Sequence, residues 1–332
     1  MKTLIRALVA SVALAASALP SLAETLRLEW VMQGQFAGPI LAFDKGYYKE
    51  AGVDLELLPA GPDIKPSVTV ATGADTFGIG HPNQVISARA NGAKLVMISQ
   101  HGQKSATTYI ARKDTGITSI KDMPGHSVGL WFGGDEQEFL AMLANAGIDP
   151  SQVKIISQGF DIISWLNKDY EVMQVTLYNE LQQVYRNGYK KDDLVFLDPP
   201  EEASIVSGGL FTTQETIDSN PKAVQAVVDA TLRGWKEALA DPEAAAKIVM
   251  KYNSELKLEE QVDQIKAMGD LFCAGPTLEN AFGKSELKNY EVAQKILIDA
   301  KLIDQTIDLA PAFTNAFWEK APAEYKSIDC AQ

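Results

Sequence analysis

The chain has 332 residues, 46% of them hydrophobic and 22% charged, with a formal net charge of −13. That length supports a sizeable core and about two domains, and the mixture excludes a disordered or low-complexity chain. The acidic balance without a basic cluster excludes nucleic acid and anionic lipid as natural partners.

Residues 1–23 carry a basic end, Lys2 and Arg6, then an apolar run over 7–19 and a small-x-small site at Ser21-Leu22-Ala23. This is the pattern of a secretory signal peptide cut near Ala23. The run is short of the roughly 20 residues a spanning helix needs. No Cys follows the site to carry a lipid, and nothing downstream is apolar enough for direct membrane insertion. Loss of Lys2 and Arg6 takes the net charge from −13 to −15 (−13 − 2). The mature protein is expected in the periplasm.

From Thr25 strands and helices alternate. TLRLEWVM reads as a half-buried strand, PILAFDKGYYKEAG as a helix stopped by Gly52, and VDLELLP as a second strand. IKPSVTVATGA gives a short helix, DTFGIG a strand, and PNQVISARANG a helix opened by Pro82. KLVMISQ and TTYIAR are two more strands. Asp114-Thr115-Gly116 then forms a hinge, after which HSVGLWF restarts the rhythm. DEQEFLAMLANAG, YNELQQVYRNG and the strands EVMQVTL and DLVFLD complete that second unit, and SIVSGGLFTT crosses back. From Pro221, Val224, Val227, Val228, Thr231, Leu232, Trp235 and Leu239 fall at helical spacing on one core-facing side. Further helices start at Asp241-Pro242 and after Leu256.

This pattern predicts an α/β fold of two lobes joined by crossovers near residues 112–119 and 205–212. The first lobe spans 24–114 and 208–332, and the second spans 115–207. Cys273 and Cys330 are the only cysteines. In an oxidising compartment they read as a disulfide. With no Cys-x-x-Cys and three histidines, no metal and no cofactor are expected.

Ligands of open α/β sheets sit beyond the carboxyl ends of the strands. That rule selects Gln33 and Phe36 after the first strand, His81 and Asn83 after the third, and His101 after KLVMIS. In the second unit it selects Trp131, Phe132, Gly134, Asp135 and Glu136, then Phe160, and finally Tyr178, Asn179 and Glu180. These loops offer aromatics, amides, imidazoles and acids but no Arg or Lys. Sulfonate or nitrate needs cationic donors or free helix N-terminal N–H groups. Asp135 and Glu136 already occupy the one suitable helix start, where acids suit the dipole and repel a second anion. A neutral, flat, amine-bearing ring fits better, stacked on the aromatics and donating to the carboxylates. Each choice has a structural alternative. Asp135 and Glu136 either cap the helix or face the ligand, Trp131 and Phe132 either stack or pack in the core, and His81 and His101 either bind or serve the interior. Glu138 is expected to face solvent or the other lobe.

FDKGYYKEAGVDLELL, TFGIGHPNQVISARANGAKLVMIS and TSIKDMPGHSVGL resemble the periplasmic solute-binding proteins of ABC importers for sulfonates, nitrate and thiamine-pyrimidine precursors. The resemblance covers nearly all of the mature chain, and LWFGGDEQEF with VTLYNEL is most similar to the pyrimidine-binding branch. It implies a type II periplasmic binding fold, with two lobes closing on a ligand in the cleft between them. Fungal pyrimidine-forming enzymes share that fold but carry a CCCFC-type motif and a Lys in the loop after the third strand. Here that loop is GIGHPNQ and the Cys motif is absent. The expected function is therefore capture of a small heteroaromatic, a hydroxymethylpyrimidine-type thiamine precursor, by a monomer that delivers it to a membrane permease without chemistry. Riboflavin or another heterocycle, a sulfonate or nitrate, and a pyrimidine-synthesising enzyme are the alternatives.

Overall fold

A computed structural model describes residues 23–159, 161–200 and 203–330. The signal segment up to residue 22, and Phe160, lie outside the described residues.

The strands are β1 (Glu24–Arg27), β2 (Leu55–Leu58), β3 (Phe77–Gly80), β4 (Leu95–Gln100), β5 (Thr107–Arg112), β6 (Ser127–Leu130), β7 (Lys154–Ser157), β8 (Val172–Thr176), β9 (Leu194–Phe196) and β10 (Gly209–Thr213). They form two five-stranded sheets of the same design, β2-β1-β3-β10-β4 and β7-β6-β8-β5-β9. In each sheet a strand supplied by the other half of the chain runs antiparallel among parallel neighbours: β10 between β3 and β4, and β5 between β8 and β9. The exchange ties the lobes together twice. It is the two-lobed, doubly crossed architecture expected from the sequence rhythm.

One boundary differs. β5 pairs in the second sheet, and its Tyr109, Ile110 and Ala111 are fully buried there. The first crossover therefore lies ahead of β5, in residues 101–106, and Asp114-Thr115-Gly116 is a turn within the second unit. Apolar strands a few residues apart carry no mark of which sheet they join, because pairing is set by partners distant in sequence.

The helix Pro221–Ala240 buries the stripe read from its periodicity, with Val224, Val227, Val228, Thr231 and Leu232 fully buried and Trp235 and Leu239 nearly so. Each large apolar side chain taken from water there contributes roughly 1.5–3 kcal/mol. This helix packs on Ala37–Asp44 over the first sheet. Asp241 caps the helix Pro242–Val249, accepting from the N–H of Ala244 at 3.0 Å. Cys273 and Cys330 form a disulfide that pins the tail to the end of the helix Leu258–Phe272, with Cα atoms 5.5 Å apart.

Candidate functional site

The carboxyl ends of β1, β3, β6 and β8 lead to the junction of the lobes, where a void of about 550 Å³, partly open to solvent, lies between them. β1 stops at Arg27, five residues before the end of the alternating pattern, and releases Glu29 and Trp30 into the loop. β3 delivers His81, β6 delivers Trp131 and Asp135, and β8 delivers Thr176, Tyr178 and Glu180. The crossovers add Ala106 and Ser207.

His81 is the centre of the site. Its Nε2 lies 3.1 Å from Glu29 Oε2 and 3.9 Å from Asp135 Oδ1, so it joins an acid of each lobe. Burial disfavours its charge, but Glu29 and then Asp135 more than offset this, and its pKa rises to about 10. Burial and the neighbouring Glu29 push Asp135 up to about 7, against the pull of His81. Glu180 is also raised by burial, although its carboxylate accepts from the N–H and hydroxyl of Thr176 at 3.0 and 2.6 Å. Burial and the carboxylates of Glu180 and Glu29 hold the Tyr178 phenol well above its ordinary range. The site is anionic, and it accepts donors and cations.

The aromatic wall is made by Trp30, Trp131 and Tyr178. Trp131 is 8% exposed, donates its indole N–H to the Gly159 carbonyl at 2.9 Å, and meets Trp30 edge-on with centroids 6.2 Å apart. The hydrogen bond fixes the ring plane, which is what a stacking surface requires.

The structure sorts the sequence-selected residues into three groups. Gln33, His81, Trp131, Asp135, Tyr178 and Glu180 line the main void. Phe36 and His101 do not: Phe36 belongs to the first-lobe core, and His101 packs against Phe272 and Phe282. Burial depresses the His101 pKa to about 3, so it is a neutral interior group. Phe132 is 44% exposed and outside the void. The third group fastens the lobes to one another. Asn83 donates to Gly134 O at 2.9 Å and Gln137 Oε1 at 2.7 Å, and Lys65 donates to the Phe132 carbonyl. Across the cleft Gln264 donates to Asn179 Oδ1 at 3.0 Å. Glu136 closes its own turn by accepting from the N–H groups of Gly133 and Gly134 at 3.0 and 2.9 Å. The helix after that turn begins at Gln137, later than the expected start at Asp135, so Glu136 and Asp135 belong to the turn. Glu138 is buried rather than solvent-facing, accepting from Ile205 N–H and Ser105 Oγ of the two crossovers.

Glu29, Trp30, Thr107, Thr176 and Ser207 line the void as well and stand outside the loops selected from the sequence. Glu29 and Trp30 were absorbed into a strand drawn too long; an acid followed by Trp at a strand end was the available signal.

A family model described as NMT1/THI5 like matches residues 33–245. The chain is 23% identical over 312 residues to a riboflavin-binding protein of Chloroflexus aurantiacus, covering 91% of this chain and 88% of that one. It is 25% identical over 313 residues to a 4-amino-5-hydroxymethyl-2-methylpyrimidine phosphate synthase of Legionella pneumophila, covering 92% and 96%. It is 21% identical to a formylaminopyrimidine-binding protein of Halalkalibacterium halodurans, covering 87% and 88%. Among solved structures, the alkanesulfonate-binding protein of Xanthomonas axonopodis pv. citri superposes with a TM-score of 0.66 at 15% identity, covering 88% and 99%. That likeness is one of fold, that of the periplasmic binding proteins.

Proposed function

The chain belongs to the NMT1/THI5-like family, and from that premise we propose that it is the periplasmic substrate-binding protein of an ABC importer. It captures a small flat heteroaromatic, a thiamine pyrimidine precursor of the hydroxymethylpyrimidine type, as a monomer and hands it to a membrane permease. The observation that carries this reading is the lining of the interlobe void. Trp30, Trp131 and Tyr178 stand beside the carboxyl groups of Glu29, Asp135 and Glu180, and no Arg or Lys is among the lining residues. Rings stack on the aromatics, exocyclic amines donate to the acids, and a sulfonate or nitrate would meet repulsion. Affinity comes from lobe closure, and the closed form is what the permease reads.

The relatives' names favour two heterocycles, a pyrimidine and riboflavin. A pyrimidine-forming enzyme is the reading from another class, suggested by the Legionella relative. Against it, no lysine lines the void and both cysteines are joined in the disulfide.

A thermal-shift panel of aminopyrimidines, flavins, taurine and nitrate tests the reading. A ligand at 100 times its Kd stabilises by about 2.7 kcal/mol, and only the aminopyrimidines are expected to raise the Tm. A shift with the anions alone overturns it. A lysine-bound chromophore after incubation with pyridoxal phosphate would favour the enzyme.

A further inference from the structure

Three ligand atoms from three separate loops meet at one point of the cleft. Glu29, His81 and Asp135 each offer an atom within 4.8 Å of the others, two from the first lobe and one from the second. His81 Nε2 and Glu29 Oε2, at 3.1 Å, are already spaced like two ligands of one ion, since neighbours on a tetrahedral zinc lie about 3.3 Å apart. Asp135 Oδ1 lies 3.9 Å from the same nitrogen, and moves inward to share an ion with the other two.

The surroundings are those of a built site. His81 Nδ1 lies 3.2 Å from the Val206 carbonyl and 3.3 Å from the Gly208 amide nitrogen. Nδ1 thus lies between a backbone acceptor and a backbone donor, and the other ring nitrogen, Nε2, faces the two carboxylates. That facing arrangement has room for a cation, a proton or a metal ion, between the imidazole and the acids. Gln84 bridges two of the three loops. Its carbonyl accepts from the backbone N–H of His81 at 3.1 Å, and its amide donates to Glu29 Oε1 at 3.1 Å, leaving Oε2 free to face the imidazole. An imidazole held through its second nitrogen and a carboxylate held through its second oxygen are the outer-shell pattern of metal ligands.

We propose that Glu29, His81 and Asp135 form an interlobe site for a divalent transition-metal cation of the zinc class. One imidazole and two carboxylates leave the remaining position of a four-coordinate ion open to the void walled by Trp30, Trp131 and Tyr178. The ion ties an acid of the second lobe to two residues of the first, so it also favours closure. The proposal rests on this geometry whichever organic ligand the cleft takes.

The test uses metal alone. Chelator-stripped protein is titrated with Zn²⁺ by calorimetry, beside E29Q, H81A, D135N and Q84A. H126A serves as control, since His126 pairs with Glu171 away from the cleft. The expected result is one Zn²⁺ per chain, affinity reduced at least tenfold in each of the three ligand variants, and roughly 10–100-fold in Q84A. X-ray absorption of the loaded protein is expected to show a single imidazole among oxygen ligands. Zn²⁺ binding that is substoichiometric, or that survives H81A and E29Q while falling in H126A, overturns the site. E29Q is nearly isosteric and keeps the test decisive if H81A fails to fold. Failure here leaves the heteroaromatic reading to its own ligand panel.

Discussion

The side-chain amide of Asn83 donates to the carbonyl of Gly134 across the cleft at 2.9 Å, one lobe gripping the backbone of the other. The contact exists because Gly133 and Gly134 adopt φ of +115° and +133°, conformations that L side chains rarely reach. A Cβ on Gly134 would sit 2.8 Å from Gln84 Cγ, and one on Gly133 would sit 2.4 Å from Lys65 Cε. The glycine pair is thus shaped for lobe docking as well as for its turn.

Gly134→Ala is therefore expected to loosen closure. Backbone strain of about 1–3 kcal/mol and loss of the Asn83 contact should weaken ligand binding on the order of 10–100-fold and enlarge the radius of gyration in ligand-bound solution scattering. An unchanged scattering profile with unchanged affinity would remove the docking role.

Trp131 and Phe132 are adjacent and are expected to behave differently. Trp131→Ala removes a ring fixed by Gly159 and should cost about 2–3 kcal/mol of aminopyrimidine affinity in calorimetry. It should also lower the ligand-free Tm, because the ring is only 8% exposed. Phe132→Ala, at a 44% exposed position, should leave affinity within about twofold. Equal losses would mean the ligand sits elsewhere.

Glu138 makes stability depend on pH. Burial raises its pKa from 4.5 to about 8, against the hydrogen bond from Ile205 N–H. The folded state therefore keeps a proton that the unfolded chain releases above pH 4.5, and stability falls as pH rises from there to about 8. Asp135, raised to about 7, acts in the same direction, and the stability that His81 gains from its charged form is likewise lost as pH rises from 6.5 to about 10. Glu138→Gln keeps an acceptor for Ile205 and removes the titration. Urea unfolding at several pH values should show a smaller slope in the variant, by up to roughly 1.4 kcal/mol per pH unit. An identical slope would show that Glu138 is ionised in the fold.

Replacing Cys273 and Cys330 together by Ser should cost roughly 4 kcal/mol for a loop closed over a separation of 57 residues. The signature is a Tm lowered by several degrees with ligand affinity little changed, since the bond lies outside the void lining. A large affinity loss at equal folding would instead couple the tail to the site.

Much of the site could be read because ligand loops follow strand ends, and strand ends leave a local trace. His81-Pro82 opens a helix just after FGIG, and Trp131 follows SVGL, so both lie where periodicity stops. Phe36 and His101 stand at equally good positions in the chain and are core, because what faces a loop side chain depends on which helix packs above it. Phe272 and Phe282 decide this for His101, from more than 170 residues away.

The sequence by itself determined the two α/β units, the buried face of Pro221–Ala240 and a set of acidic and aromatic strand-end loops without Arg or Lys. These rest on periodicity and residue chemistry, which act over a few positions. The tertiary structure decided that β5 joins the second sheet, that Gly133 and Gly134 lie under Gln84 and Lys65, and that Glu29 meets His81 and Asp135. Those are contacts between residues 50 to 106 positions apart, fixed by strand register and lobe closure, and no local pattern encodes them.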